Sequence, residues 1–261
     1  MADLLKTCEE AARAGGAVIS DWVGRFSVRE KGPADLVTQA DEAAQAAIQQ
    51  IIFKNFPDHG FIGEEKDCRL HADAEYCWYV DPLDGTTNYV HRVPHYCTSI
   101  AVARLGKIEA AAVFDPVSKD CYTAQRGQGA YCNGVRLQTS GVKSLSAALL
   151  AASFSSHIDA GSKEIDQFVS TLLSCQAVRR TGSAALNMCY IAAGRFDGFW
   201  ALSTKAWDVA AGALLVEEAG GVVTHWSGDA FDLTQPHPAA SATQELHDQF
   251  LELLANAPQR K

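Results

Sequence analysis

From about residue 143 onward the chain alternates short apolar runs with longer amphipathic ones. Strand-like segments at 148–154, 177–180, 196–201 and 222–224 are interleaved with helical periodicity at 162–175, 183–193, 208–219 and 244–255. Strands that alternate with helices must cross over the face of a sheet, so this half is restricted to layered α/β architecture. The first 142 residues read differently. A helical pattern over 3–22 places Leu4, Leu5, Cys8, Ala12, Val18, Ile19 and Trp22 on one face, followed by a short strand at 26–30 and a loop through Gly32-Pro33. A second helix over 41–55 carries Ala44, Ile48, Ile51 and Ile52 and is stopped by Pro57. Strand patterns at 61–62 and 76–80 precede an antiparallel meander at 98–105, 107–114 and 120–124, with turns at Gly106 and around Pro116. The expectation is an α/β protein with an α+β lobe over 1–142 and an α/β lobe over 143–261. No linker separates the lobes, and the active site is expected between them.

Composition narrows the partners. Lys and Arg number 22 against 31 Asp and Glu, a formal charge of −9, while 48% of residues are hydrophobic. That hydrophobic share suits a globular chain, and the acidic balance argues against nucleic acid, whose binders need basic surface. No run approaches the roughly 18 uninterrupted apolar residues of a membrane span. Residues 1–16 are acidic and amphipathic rather than basic and then apolar, and none of the eight scattered cysteines forms a C-x-x-C pair. A cytoplasmic protein with reduced thiols is expected.

The segment 78–88 carries the densest chemistry. An apolar strand delivers Asp81, Pro82 is expected to end it, Asp84 stands at a turn beside Gly85, and Thr86-Thr87-Asn88 opens a short helix. Two carboxylates three residues apart at such a junction can converge, while the N–H groups of Gly85 and Thr86 favour an anion. Carboxylates beside an anion repel it unless a cation lies between, and carboxylate plus phosphate is a common magnesium environment. Taken alone, D-x-x-D-G reads equally well as a turn and a cap. Further acids stand at the end of the 61–62 strand (Glu64, Glu65), at the start of the apolar helix near 208 (Asp208), after it (Glu217, Glu218), and at the start of the second helix (Asp35, Asp41). Asp41 and Asp208 also suit simple N-caps. Spacing alone does not bring these segments together.

Gly63-Glu64-Glu65, the run Asp81 to Asn88, Trp207 to Gly212 and Glu218 to Gly221 occur in this order over essentially the whole chain, with 35–41 and 182–188 between. This ordered set resembles the inositol monophosphatase family of magnesium-dependent, lithium-sensitive phosphatases. The resemblance implies a layered αβαβα sandwich, usually a homodimer, with two to three Mg²⁺ ions in each site. It implies that Glu64, Asp81, Asp84 and the Leu83 carbonyl hold magnesium, that Asp208 joins Asp81 and Asp84 on a second ion, and that Glu64 helps hold a third. Asp41 and Thr86 would orient and deprotonate the attacking water, with Glu64 counted among the catalytic groups. Phosphate would rest on the N–H groups of Gly85 and Thr86, with Asp84, Gly182, Ser183, Ala184 and Asp208 on the substrate side. The implied reaction is hydrolysis of a small polyol phosphate, foremost myo-inositol 1-phosphate, by metal-activated water. Histidinol phosphate, fructose 1,6-bisphosphate and 3′-phosphoadenosine 5′-phosphate are alternatives within the same chemistry, although Thr86-Thr87-Asn88 resembles the inositol branch more than the nucleotide branch.

One position departs from the pattern. Seven residues before Asp208, where inositol phosphatases usually carry a glutamate that accepts ring hydroxyls, this chain has Ala201. Losing one charged hydrogen bond costs on the order of 1.5–3 kcal/mol, so the phosphatase chemistry is better supported than inositol specificity. Trp200 and Lys205 are the neighbouring substitutes, set against plain packing and solvation. His91 and His95 have metal-ligand spacing, but Pro94 interrupts any helix that would align them, and no zinc role is expected. A reading of a different class is a non-catalytic scaffold for RNA polymerase or another protein. Lost ligand acids would signal it, whereas Glu64, Asp81, Asp84 and Asp208 are all present.

Overall fold

Two sheets of different character correspond to the two sequence patterns. The computed structural model describes residues 3–32, 35–155, 158–159 and 161–258. The first half supplies α1 (Leu4–Trp22), a hairpin of β1 (Val28–Gly32) and β2 (Asp35–Thr38), and α2 (Gln39–Asn55). It continues with β3 (Gly60–Gly63), β4 (Cys68–Leu70), β5 (Tyr76–Asp84), α3 (Thr86–Val90) and β6 (Cys97–Arg104). Strands β7 (Lys107–Phe114), β8 (Cys121–Gln125), β9 (Gly129–Cys132) and β10 (Val135–Arg136) complete it. Strands β3 to β10 form one sheet in the order β10-β9-β8-β7-β6-β5-β3-β4, antiparallel except for the parallel pair β3–β5. Nearly every side chain of β6 and β7 is buried, the pattern of strands covered on both faces. On one face Cys8, Ala11, Ala12, Ile48 and Ile52 of α1 and α2 pack against Trp78, Val80, Ile100 and Val102.

The second half supplies β11 (Leu149–Ser153), α4 (Lys163–Ser174), β12 (Ala177–Arg179), α5 (Ala184–Ala192), β13 (Gly198–Ala201) and α6 (Ala206–Glu218). It ends with β14 (Val222–His225), β15 (Pro238–Ser241) and α7 (Gln244–Ala255). Its sheet runs β12-β11-β13-β15-β14, parallel across the first three strands. Helices α5 and α6 are buried almost all round, as a helix held between two sheets must be. Their Leu186, Met188, Val209 and Leu214 join one core with Ala101 and Val113 of the first sheet and Phe199 of the second. Helices α4 and α7 cover the far face, where Trp200 meets Phe250 edge-on at 5.6 Å. The result is the expected five-layer αβαβα stack.

Several elements differ from the sequence reading. Strand β5 does not stop at Pro82 but continues to Asp84, across a register shift between Asp81 and Asp84. Proline lacks the ladder N–H, so the shift places it where none is needed, and its carbonyl accepts from Thr98 Oγ1 at 2.9 Å. Residues 35–38 are a strand paired with 28–32, and the second helix starts at Gln39, two residues before the expected Asp41. Strands β4, β9, β10 and β15 also went unread, being two to four residues long and without a period to detect.

Candidate active site

The bulge at the end of β5 aims two acids differently. Asp81 turns back to accept from Leu83 N at 2.9 Å and is 2% exposed. Asp84 reaches across the layers to the start of α5. There Ser183 Oγ donates to Asp84 Oδ2 at 2.5 Å, Ala185 N to the same oxygen at 2.8 Å, and Ala184 N to Oδ1 at 3.3 Å. Burial pushes the Asp84 carboxyl up to about 6, while these three donors oppose the rise by stabilising the anion. Gly85, between β5 and α3, sits at φ +96°, and a Cβ there would lie 3.0 Å from the His95 carbonyl and 3.3 Å from that of Gly182. The two halves of the chain therefore come close here at two glycines, Gly85 and Gly182.

Asp41 arrives from the other side. It occupies the third position of α2, not the N-cap; Thr38 is the cap, and the pair forms a capping box. Asp41 Oδ2 accepts from Thr38 N at 2.9 Å and Thr38 Oγ1 at 2.6 Å, leaving Oδ1 to face Thr86 Oγ1 at 3.1 Å. Thr86 Oγ1 is also 3.0 Å from the Leu83 carbonyl oxygen. Burial, opposed by the Thr38 hydrogen bonds, pushes the Asp41 carboxyl up to about 6. Asp208 likewise lies at the third position of its helix rather than the cap, accepting from Lys205 N at 2.8 Å. Glu64 closes the group: its N–H donates to the Val80 carbonyl at 3.1 Å, and its carboxylate lies near enough to Asp81 for its charge to act on it. Burial raises both Asp81 and Asp208 well above the usual carboxylate range, and the charge of Glu64 adds to each.

Other expected contributors lie elsewhere. Glu217 pairs with Arg126 at 3.1 Å, and Glu218 accepts from Gly127 N and Gly129 N, so this acidic pair ties α6 to the β8–β9 turn. Trp200 packs in the far core, and Ala201 is fully buried in the core between the two sheets. The Ser183 side chain is fully buried and committed to Asp84 and to capping α5. Two positioning residues escaped the sequence reading. Asn88 Nδ2 donates to the carbonyls of His95 and Thr181, both at 2.8 Å, joining α3 to the segment before Gly182. Gln45, a polar residue on the apolar face of α2, accepts from Glu65 N at 2.9 Å and donates to Glu65 O at 3.1 Å, which fixes the turn bearing Glu64. A lone polar residue within that apolar stripe was the available signal.

No three His, Cys, Asp or Glu side chains among the described residues stand as a finished metal cage; Asp81 is turned back onto Leu83 N and Asp84 toward Ser183. The donor set nonetheless fits a hard divalent ion. Asp81 and Asp84 are buried and Asp208 and Glu64 half-buried beside them, the three aspartyl carboxyls raised by desolvation and by neighbouring negative charge, and a cation among them would remove that repulsion. Beside Glu64 and Asp208 opens a cavity of about 1060 Å³.

Acids gathered where two layered sheets meet, with a threonine–aspartate pair at their edge, give a layered α/β protein a site suited to hard cations and anions. A family model described as the inositol monophosphatase family matches residues 1–259, and the chain belongs to that family, a family of phosphatases. It is 42% identical over 252 residues to the Nus factor SuhB of Pseudomonas aeruginosa, covering 94% of this chain and 93% of that one. It is also 42% identical over 233 residues to the inositol-1-monophosphatase of Rhizobium meliloti, covering 88% and 86%. Among solved structures, the inositol monophosphatase of Anabaena (Nostoc) superposes with a TM-score of 0.88 at 34% identity, covering 98% of this chain and 96% of that chain. An IMPase/NADP phosphatase complexed with Mg²⁺ and phosphate superposes with a TM-score of 0.83 at 27% identity, covering 94% and 93%. No helix among the described residues is long and apolar enough to cross a membrane.

Proposed function

We propose that this protein is a magnesium-dependent phosphomonoesterase of small polyol phosphates, with myo-inositol 1-phosphate the first substrate to test. The observation that carries this reading is the hydrogen bond between Thr86 Oγ1 and Asp41 Oδ1 at the edge of the buried acids. Thr86 has one hydroxyl proton and two acceptors in reach, Asp41 and the Leu83 carbonyl. With the Leu83 oxygen engaged by a cation, the Thr86 hydroxyl would direct its hydrogen bond to Asp41, and Thr86 Oγ1 would keep a lone pair with which to accept from a water. Asp41 then receives the water's proton through Thr86. A carboxyl near 6 is well matched to a base working close to neutrality.

The carboxylates of Glu64, Asp81, Asp84 and Asp208 with the Leu83 carbonyl would hold two to three Mg²⁺ ions, which when bound neutralise phosphoryl oxygens and lower the pKa of water. The N–H groups of Gly85 and Thr86 would receive the phosphate. Gly182 and Ala184 would border the substrate, and Ser183 supports it through Asp84. Ala201 offers no acceptor to an inositol ring, so the reading extends to related polyol phosphates. The solved relative complexed with Mg²⁺ and phosphate supports the same chemistry.

The test is phosphate release from myo-inositol 1-phosphate, histidinol phosphate, fructose 1,6-bisphosphate and 3′-phosphoadenosine 5′-phosphate, with and without Mg²⁺. Mg²⁺-dependent release from a polyol phosphate supports the proposal. Silence across the panel would overturn it and favour a non-catalytic scaffold, a reading that the full set of acids does not favour.

A further inference from the structure

Three parallel strands of the second sheet, in the order β12-β11-β13, share one direction. The segment after β12 carries Ser183 and Ala184, both bonded to Asp84, and the segment after β13 leads to Asp208. Strand β11 lies between these two, so the segment after it opens on the same crevice. In parallel sheets, ligands bind outside such carboxyl ends. At this edge Ala201, the last residue of β13, is fully buried and offers no acceptor. Two residues further on stands Ser203, which is exposed and directly precedes the cavity-lining run from Thr204 to Asp208.

Behind Ser203 lies a buried acid that the proposed reaction does not use. Glu164, in the first turn of α4, is 8% exposed. Its Oε1 accepts from Ser155 N at 3.0 Å and from Ser203 Oγ at 3.2 Å, and its Oε2 accepts from Ser155 Oγ at 3.3 Å. Ser155 stands two residues after Ser153, the ladder partner of Ala201, so one carboxylate spans the ends of both strands. Among the described residues no cation pairs with Glu164, and its hydrogen bonds come from neutral groups. Keeping a carboxylate out of water in this way is costly, and the cost secures one thing at the crevice. A carboxylate only accepts, so the Ser203 hydroxyl proton is directed to Glu164 and the Ser203 oxygen keeps lone pairs for another donor. Thr204, the next residue, is pinned by its hydroxyl to the Pro236 carbonyl, which holds this turn in place.

We propose that Ser203 is a specificity-determining residue, whose oxygen, oriented by Glu164, accepts a hydroxyl of the polyol phosphate in place of the acceptor that Ala201 lacks. The inference rests on the phosphomonoesterase reading above. Glu164 is a positioning residue that acts through Ser203 and touches no substrate. A neutral hydrogen bond of this kind is worth about two- to tenfold in affinity. The hydroxyl is remote from the scissile bond, so the gain falls on KM rather than on kcat. A phosphate ester without hydroxyls gains nothing from it.

The test compares phenyl phosphate, which has no hydroxyl, with the better substrate of myo-inositol 1-phosphate and sorbitol 6-phosphate, all in the presence of Mg²⁺. In Ser203→Ala the kcat/KM for the polyol phosphate relative to phenyl phosphate should fall by about two- to tenfold, carried by KM. Glu164→Ala should lower this ratio comparably, and the double variant by little more than either. Glu164→Gln keeps an acceptor oxygen for Ser203 and should recover most of the ratio. A packing role for Glu164 would instead lower both substrates alike. A ratio in folded Ser203→Ala that stays within about twofold of wild type, a fall carried by kcat alone, or losses that add in the double variant would overturn this proposal and leave the phosphatase reading standing. Release from neither polyol phosphate overturns it together with the polyol reading, and silence of every ester, phenyl phosphate included, overturns the phosphatase reading as well. Melting temperature reports folding, and should the Glu164 variants not fold, Ser203→Ala at its exposed position decides.

Discussion

Ser183 Oγ stands 2.5 Å from Asp84 Oδ2, a contact between residues 99 positions apart in which both residues are buried. With Ala184 and Ala185 N–H it seats a carboxylate of the first sheet on the start of a helix of the second half. Partners of this kind orient metal-ligating carboxylates, and removing one typically weakens metal binding by about 10–100-fold. Ser183→Ala should therefore bind Mn²⁺ or Mg²⁺ at least about tenfold more weakly by titration calorimetry. It also removes the α5 cap on Leu186 N, costing about 1 kcal/mol of stability. Unchanged ion affinity would exclude the positioning role.

Asp41 and Thr86 are proposed to act as one unit, so their losses should not add. Asp41→Asn and Thr86→Ala are each expected to lower kcat by about 10²–10⁴-fold, and the double variant by little more than either. Thr86→Ser should restore most of the activity, since only the hydroxyl is required. Additive effects in a steady-state double-mutant cycle would separate the two residues.

Asp208→Asn, and likewise Asp84→Asn, should lower kcat at least about a hundredfold while the fold is retained. Both acids lie among like charges, so the amides also relieve repulsion in the absence of metal. Near-wild-type turnover by either purified variant would remove the proposed site.

The raised carboxyl of Asp41 makes a signed prediction about stability. Between about pH 4 and 6 the folded protein holds a proton on Asp41 that the unfolded chain has lost, because burial raises this group from 3.8 to about 6. Unfolding thus releases protons, and the contribution of Asp41 to stability falls as pH rises through this window, by on the order of 3 kcal/mol in all. In EDTA, the melting temperature of Asp41→Asn relative to wild type should climb from pH 4 to pH 6 and then level off. A flat or falling difference would show that burial of Asp41 carries no such cost.

Gly212 allows α6 to lie against α5. A Cβ there would fall 2.5 Å from Met188 Cβ, an atom with little freedom to withdraw. Gly212→Ala should cost about 1–3 kcal/mol through overpacking, seen as a melting temperature lower by several degrees. An unchanged melting temperature would mean that the two helices part without penalty.

Much of the fold was legible because its elements obey local rules. The stripe of Ala44, Ile48 and Ile52 declared α2, and the alternation after residue 143 declared the layered half. The misreadings arose where local rules met tertiary ones. Pro82 should end a strand, but the bulge at Asp81–Asp84 absorbs its missing donor and carries the strand to the site. Asp41 and Asp208 have the chemistry of N-caps, yet each sits at the third helical position and accepts from a preceding backbone N–H. Gln45 and Asn88 act through partners 20 and 93 residues away, which no spacing pattern records.

By itself the sequence determined the secondary-structure alternation, the ordered acids and the family they resemble, because periodicity and motif order are properties of the chain read locally. Only the tertiary structure decided that Asp84 rests on Ser183, that Glu217 and Glu218 serve a distant turn, and that Arg29, Lys66, Arg69 and Lys205 meet around one cavity. Convergence is set by how the sheets and helices pack, and charged residues scattered along the chain meet only when packing brings them together.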